Sequence, residues 1–360
     1  MSEIPKQYKA CVYDEPGKIS TKIETRETPE PGPGEVLINL THSGVCHSDL
    51  GVMENSWASL PHPTQAGQVG GHEGVGKVVK LGPGSESSTV KVGDRVGVKW
   101  VSGTCGSCPQ CLGGSEALCP KAKVSGYYTP GTFQQYCIGP INYVTAIPDN
   151  LPSADAAPML CAGVTTYAGL RKSKAKSGEW VVISGAGGGL GHIACQLAAG
   201  GMALRVIGID APSKKQVVMN CGAEHFIDVT AHDDTSIVEE VLKLTGGLGA
   251  SAVLVCTASN KAYAQALDFL RFDGTLVCIG MPEGAPQPIA KSFPQALVFK
   301  QANICAVAVG TRRDAIECLD FAARGIVKAH YRTEKMENLM EVFQEMKDGK
   351  LIGRVVLDLQ

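Results

Sequence analysis

The sequence predicts a two-part α/β chain in which a doubly wound parallel sheet follows a smaller, irregular β-rich domain. Three observations carry that expectation. Between about residues 180 and 309 apolar strands alternate with helices at short spacing. The first third is dense in Gly and Pro, and its apolar runs are brief. A chain of 360 residues with 44% hydrophobic composition is also large enough to bury more than one core.

In the first third, strands are expected over 36–40, 74–80 and 95–100, separated by turns such as Pro31-Gly32-Pro33-Gly34 and Gly82-Pro83-Gly84. Six buried strands follow over 181–184, 204–209, 226–229, 252–256, 275–279 and 304–307. Met336, Leu339, Met340, Phe343 and Met346 then share one face of a helix ending near Gly349. A last apolar strand over 354–357 is expected to return to the first domain.

Composition excludes several classes of partner. The net charge is -2, and Lys and Arg are scattered, so neither nucleic acid nor a membrane surface is favoured electrostatically. The N-terminus lacks the apolar core of a signal peptide, and no apolar stretch approaches the ~20 residues of a membrane-spanning helix. A soluble protein in a reducing, cytoplasmic compartment is expected. The 14 cysteines are therefore read as metal ligands or reduced thiols rather than as a disulfide framework.

Four of them, Cys105, Cys108, Cys111 and Cys119, lie within TCGSCPQCLGGSEALC. Four thiolates at this spacing wrap one tetrahedral ion, with Gly106, Pro109, Gly113 and Gly114 providing the turns. Such a closed site leaves no position for a substrate, so it would be structural. An iron-sulfur cluster and four reduced thiols are the alternatives.

Cys46 in SGVCHSDL, His72 in GGHEG and Cys161 in LCAGVTTY form a second candidate set. Two thiolates and an imidazole leave the fourth zinc position for water or an alcohol oxygen, the vacancy that catalysis needs. Each residue taken singly is equally a buried thiol or a structural histidine. Asp49 and Glu73 stand close in sequence, where a carboxylate orients His72 or tunes the charge of the metal.

In VVISGAGGGLGHIACQLA a strand enters a glycine turn that opens a helix, the context of a dinucleotide-binding fingerprint. Gly185, Gly188, Gly189, Leu190 and Gly191 would bring backbone amides to a pyrophosphate. Strict G-x-G-x-x-G spacing is absent, because Ala186 occupies its first place. Asp210, at the end of the next strand, suits the adenosine ribose hydroxyls and would repel the 2′-phosphate of NADP, while Lys214 and Lys215 would soften that preference.

With GVCHSDL, GGHEG, the four-cysteine loop, LCAGVTTY, the glycine turn and GID in this order, the chain resembles the zinc-containing medium-chain alcohol dehydrogenases over essentially its whole length. GVKW, GTFQQY, FIDVT, GMPEG, FAARG and IGRVV bring it nearest the yeast-type branch. The resemblance implies a GroES-like catalytic domain of residues 1–158 and 309–360 around a Rossmann domain of residues 159–308, with substrate in the cleft. It further implies NAD, two zinc ions per chain, a small alcohol or aldehyde as substrate, and a homotetramer.

Carried over by position, Cys46, His72 and Cys161 would hold catalytic zinc with Glu73 beside them, and the four-cysteine loop the structural ion. Ser48 matches the hydroxyl that accepts the alcohol proton. His47 and Arg354 match cofactor phosphate contacts, Thr165 a residue near nicotinamide, and Lys215 a further cofactor contact. Trp57, Trp100 and Met281 fall where the pocket is lined, with plain core or interface packing as the alternative for the two tryptophans; Met281 also borders the cofactor, and Met53 takes the place of a bulky aromatic.

Two departures stand out. The place of the relay histidine is Gly51, which carries no proton, and the segment between Trp57 and His72 is longer than in the yeast-type branch. With Met53, the longer segment suggests an alcohol larger than ethanol: primary first, with secondary, allylic and aromatic alcohols as further candidates. An aldehyde reductase of a biosynthetic pathway and a non-catalytic nucleotide-binding protein are the alternative functions.

Overall fold

The structure, a computed structural model, describes residues 3–58 and 60–360. The chain forms two compact units. One comprises the chain through Cys161 with Thr311–Ala323 and His330–Gln360; the other comprises Ala162–Gly310 and Arg324–Ala329. Cys161 therefore stays with the first unit. Residues 324–329, expected in the first domain, fold with the second because Gln196 exchanges two hydrogen bonds with the Lys328 backbone, at 2.9 and 3.0 Å.

In the first unit the strands are β1 (Gln7–Tyr13), β2 (Thr21–Glu27), β3 (Glu35–Val45), β4 (Gln68–Val69), β5 (Gly74–Leu81), β6 (Arg95–Val98), β7 (Val101–Gly103), β8 (Lys123–Val124), β9 (Tyr136–Pro140) and β10 (Thr145–Ala146). β3 organises them. It runs antiparallel to both β5 and β9, and it extends to Val45, well past the expected end at residue 40. Immediately after it comes helix α1 (His47–Glu54), with Cys46 as its N-cap. Leu37, Ile38, Leu40, Leu50, Phe133 and Phe343 are fully buried in the core between these elements. That apolar area removed from water is what fixes the register of β3 against its neighbours.

The second unit holds β11 (Trp180–Ser184), β12 (Arg205–Asp210), β13 (His225–Asp228), β14 (Ala250–Val255), β15 (Leu270–Cys278) and β16 (Asn303–Ala306), all parallel. Their spatial order is β13-β12-β11-β14-β15-β16. The order reverses between β11 and β14, the switch point at which doubly wound sheets bind dinucleotides. All six residues of β14 are buried, as a strand covered on both faces requires.

The chain ends in β17 (Tyr331–Lys335) and β18 (Arg354–Asp358), which pair in parallel. β18 returns to the first unit and runs antiparallel to β3, with Val355 opposite Val45. The helix before it begins with a tight 3-10 turn, Met336–Asn338, and continues as Leu339–Lys347. That turn rotates the buried face onto Leu339, Val342 and Phe343 and leaves Met340 47% exposed, correcting the expectation that Met340 faces the core. Among the described residues no helix is long and apolar enough to cross a membrane.

Candidate functional site

The β3–α1 junction and the turn before β5 bring one cluster together. Cys46, His72, Glu73 and Cys161 each offer a ligand atom, and these atoms lie within 4.8 Å of one another. The Cys46 and Cys161 sulfurs are 4.0 Å apart. A tetrahedral zinc with bonds of about 2.3 Å places two sulfurs about 3.8 Å apart, so the pair fits such an ion closely.

Asp49, one turn into α1, organises the cluster. Its Oδ2 accepts the Cys46 amide at 2.9 Å and its Oδ1 lies 2.7 Å from His72 Nδ1. With Nδ1 engaged, His72 Nε2 is left buried and without a hydrogen-bond partner. A buried polar atom is costly unless something satisfies it, and a cation among two sulfurs does so. The hydrogen bond between the two sulfurs draws the Cys46 thiol well below its ordinary value, against burial, and Cys161 is pushed up by the same contact and by burial.

Glu73 enters because residue 44 is glycine. A Cβ there would stand 1.8 Å from Glu73 Oε2. Its other oxygen is bonded by Arg354 Nη2, both side chains being buried. Burial lifts the Glu73 carboxyl to about 7, and the Arg354 charge opposes the rise. Pairing of β18 with β3 sets Arg354, expected against a cofactor phosphate, beside Glu73, 5% exposed.

Around the cluster, Ser48 Oγ lies 3.7 Å from Cys46 Sγ and is half-buried. The Trp100 ring meets the His72 ring edge-on at 4.9 Å. The Trp57 indole lies on α1 at Gly51, where a Cβ would come within 3.0 Å of it. Met53 corrects the expectation of a pocket wall: its side chain is 0% exposed and packs in the core of the unit. His47 opens α1, exposed and outside the ligand set.

Cys105, Cys108, Cys111 and Cys119 form the second group of four ligand atoms, also within 4.8 Å of one another. Cys108 and Cys111 sulfurs are 3.4 Å apart, and those of Cys105 and Cys119 3.6 Å. Backbone amides of Ser107 and Cys108 bring the Cys105 thiol down to about 6, which favours the thiolate a metal takes.

In the second unit the glycine turn joins β11 to the helix Gly191–Gln196. Gly185 has φ +78, and a Cβ on Gly191 would stand 2.0 Å from the Gly185 carbonyl, so helix and turn approach as no other residue allows. Gly188 also packs on that carbonyl, its amide donating to it at 3.1 Å; Gly189 and Leu190 complete the turn. Asp210 closes over the turn, accepting the Gly187 amide at 2.7 Å and the Ala211 amide at 2.8 Å. Lys214, not Lys215, faces this carboxylate, at 3.8 Å; Lys215 is exposed on the following helix. Thr165 is buried in the helix Ala162–Ser173, and Met281 is 47% exposed after β15. Fingerprint spacing marks only the neighbours of Gly187 and gives no signal for its amide.

Comparison with known proteins gives two family models. Residues 32–149 match the alcohol dehydrogenase GroES-like domain and residues 189–324 the zinc-binding dehydrogenase domain. The chain is 62% identical to Alcohol dehydrogenase 2 of Emericella nidulans, with 99% of each chain covered. It is 42% identical to an alcohol dehydrogenase of Schizosaccharomyces pombe, with 98% of each covered. Among solved structures, acetophenone reductase from Geotrichum candidum in complex with NAD is similar, with a TM-score of 0.84 and 28% identity over 99% of this chain and 98% of that one.

Proposed function

The chain belongs to the zinc-containing medium-chain alcohol dehydrogenase family, and from that premise we propose that Cys46, His72 and Cys161 hold the catalytic zinc of an NAD-linked oxidation of a primary alcohol, with Ser48 as proton acceptor. The observation that carries this assignment is the buried, unpartnered His72 Nε2 among two sulfurs. When bound, zinc supplies a Lewis acid that polarises the alcohol or carbonyl oxygen.

The chain's own residues supply the rest. Two thiolates would balance a divalent ion and Arg354 pairs with Glu73, which leaves the Asp49 carboxylate, held by the Cys46 amide and His72, as the remaining buried charge. Asp49 fixes the tautomer of His72. Ser48, half-buried at the cluster, takes the alcohol proton and passes it to water, because Gly51 offers no side chain to carry it on. In the second unit the amides of the glycine turn hold the pyrophosphate and Asp210 the adenosine ribose. The four-cysteine loop holds the second, structural ion. Aldehyde reduction is the same reaction in reverse.

Metal analysis and an NADH-absorbance screen test this together. Two zinc ions per chain are expected, with turnover of primary alcohols by NAD. Cys46→Ala is expected to abolish turnover while NADH binding persists; undiminished turnover in a zinc-depleted Cys46→Ala protein would overturn the assignment.

We further propose a homo-oligomer in which a second copy pairs with β16. This strand is the edge of its sheet, so one row of backbone groups is open to another strand. Beside it Phe293, Val298 and Phe299 are 55%, 70% and 88% exposed. The edge is self-complementary by two-fold symmetry, and a homotetramer is assembled from such pairs. Sedimentation of Phe299→Glu is the check: smaller particles are expected. A reducing, intracellular compartment accords with fourteen cysteines that are all free.

A further inference from the structure

Between α1 and β4, residues 55–58 and 60–67 belong to an excursion that is tied down at its base and at its tip. At the base Thr64 donates its hydroxyl to the Val52 carbonyl at 2.6 Å and its amide to Asn55 Oδ1 at 2.8 Å. At the tip the His62 amide donates to the Tyr127 hydroxyl at 3.2 Å, and that hydroxyl donates to the His62 carbonyl. One phenol thus satisfies both backbone groups of a residue 65 positions away. The His62 ring stacks on Tyr127 at 4.8 Å and 21°, and leans on Tyr128 at 5.5 Å.

Each end of this clasp leads to an indole, Trp100 against the His72 ring and Trp57 on α1 at Gly51. On the Tyr127 side, Ser125 donates its amide to the Trp100 carbonyl at 2.9 Å and its hydroxyl to the Gly71 carbonyl at 3.0 Å. Gly71 precedes His72, whose ring Trp100 touches edge-on. On the His62 side the Leu60 amide donates to the Trp57 carbonyl at 3.1 Å. Trp57 rests on α1 at Gly51, one residue step of three from Ser48 on the same helix face. Its Nε1 is buried without a partner, so its polar atom does not anchor it. Packing on Gly51 and the Leu60 amide on its carbonyl hold it.

We infer that the Tyr127–His62 clasp fixes the separation of the Trp57 and Trp100 walls and so sets the girth of the alcohol admitted to the cluster. Tyr127 and His62 are positioning residues for specificity, and the inference rests on the alcohol-site reading of Cys46, His72 and Cys161. Walls held by hydrogen bonds do not yield to a branch on the substrate; walls released from them do, at the expense of contact with a narrow chain.

The test uses full-length, zinc-loaded enzyme and compares kcat/KM for 1-butanol with that for 2-methyl-1-propanol. In Tyr127→Phe, which keeps the ring and loses both bonds, the ratio is expected to fall about tenfold, mostly through KM, the range one misplaced methyl commands. Zinc content and KM for NAD are expected to stay unchanged. Acrylamide quenching of the three tryptophans is expected to rise. A ratio within about twofold of wild type despite increased quenching overturns the inference. Should Tyr127→Phe not fold, His62→Ala, which keeps the backbone bonds and loses the stack, decides: a smaller shift in the same direction supports the clasp and an unchanged ratio overturns it. Wild-type enzyme that turns over neither alcohol, nor any other in the screen, removes the site reading and this inference together.

Discussion

Asp49 Oδ1 lies 2.7 Å from His72 Nδ1 with both side chains buried, and this contact decides which ring nitrogen is left for a metal. The second oxygen is committed to the Cys46 amide, so the carboxylate serves two ligands at once. An amide offers one acceptor in place of two. In Asp49→Asn either Cys46 N–H or His72 loses its partner, and zinc affinity is expected to fall about 10- to 100-fold. Zinc retained on dialysis against a graded chelator measures it. Retention equal to wild type would mean that the ligand geometry is set without Asp49.

Lys99 gives the pH dependence. Its ammonium is buried, donating to Thr145 Oγ1 at 2.6 Å, and it faces Glu116, Arg312 and the Tyr143 ring. Burial lowers it from the ordinary 10.5 to about 8, with the Glu116 charge opposing the fall. Between pH 8 and 10.5 the unfolded chain therefore binds the proton that the folded chain releases, and stability rises with pH across that window. Below pH 8 the whole penalty, about 3 kcal/mol, is present. The difference in unfolding free energy between wild type and Lys99→Met is expected to move in favour of wild type by about that amount from pH 8 to 10.5. A constant difference in urea titrations at the two ends would show that Lys99 does not titrate in this window.

How far the sequence could be read depended on range. The six strands of the second unit were legible because a strand covered on both faces is an unbroken apolar run. Strands such as β4, β8 and β10, two residues each, carry no such signal. The four-cysteine loop was legible from ligand type and spacing, whereas Cys46, His72 and Cys161, far apart in the chain, were suggested by ligand type alone and are gathered by the fold. Met53 was not, because an apolar residue on a helix reads alike whether it lines a pocket or fills a core. Lys214 and Lys215 read alike because sequence does not give the rotation of the helix that follows Asp210; Lys214 is the one that faces the carboxylate. The Glu73–Arg354 pair spans 281 positions and depends on β18 returning to β3, a pairing that local pattern does not encode.

The proposed role of Asp210 in cofactor choice is open to a direct test. Its carboxylate stands at the end of β12, held by the Gly187 and Ala211 amides, with Lys214 at 3.8 Å. A 2′-phosphate on the adenosine ribose brings a second anion against it, at a cost of several kcal/mol. Asp210→Ala is expected to raise kcat/KM for NADP about a hundredfold relative to NAD, with Lys214 then free to meet the phosphate. Steady-state rates with each nucleotide give the ratio. An unchanged ratio would place the discrimination elsewhere in the second unit.

Gly51 and Trp57 together govern whether a proton relay is restored by mutation. An imidazole at position 51 would extend the path from Ser48, and the gain is expected to be larger below neutral pH, where hydroxide is scarce and a buffered relay matters more. Yet a Cβ there comes within 3.0 and 3.1 Å of the Trp57 indole and 3.4 Å of Ser56 Oγ, so a whole ring enters only if the indole leaves. Gly51→His alone is therefore expected to lower kcat/KM for alcohol and to leave the shape of its pH profile unchanged. Combined with Trp57→Ala, the same substitution is expected to raise kcat at pH 6 roughly tenfold over Trp57→Ala alone, and less at pH 8. Rates of the four proteins at the two pH values form a double-mutant cycle whose coupling is the steric conflict itself. Additive effects across the cycle would show that indole and imidazole never compete for the space above Gly51.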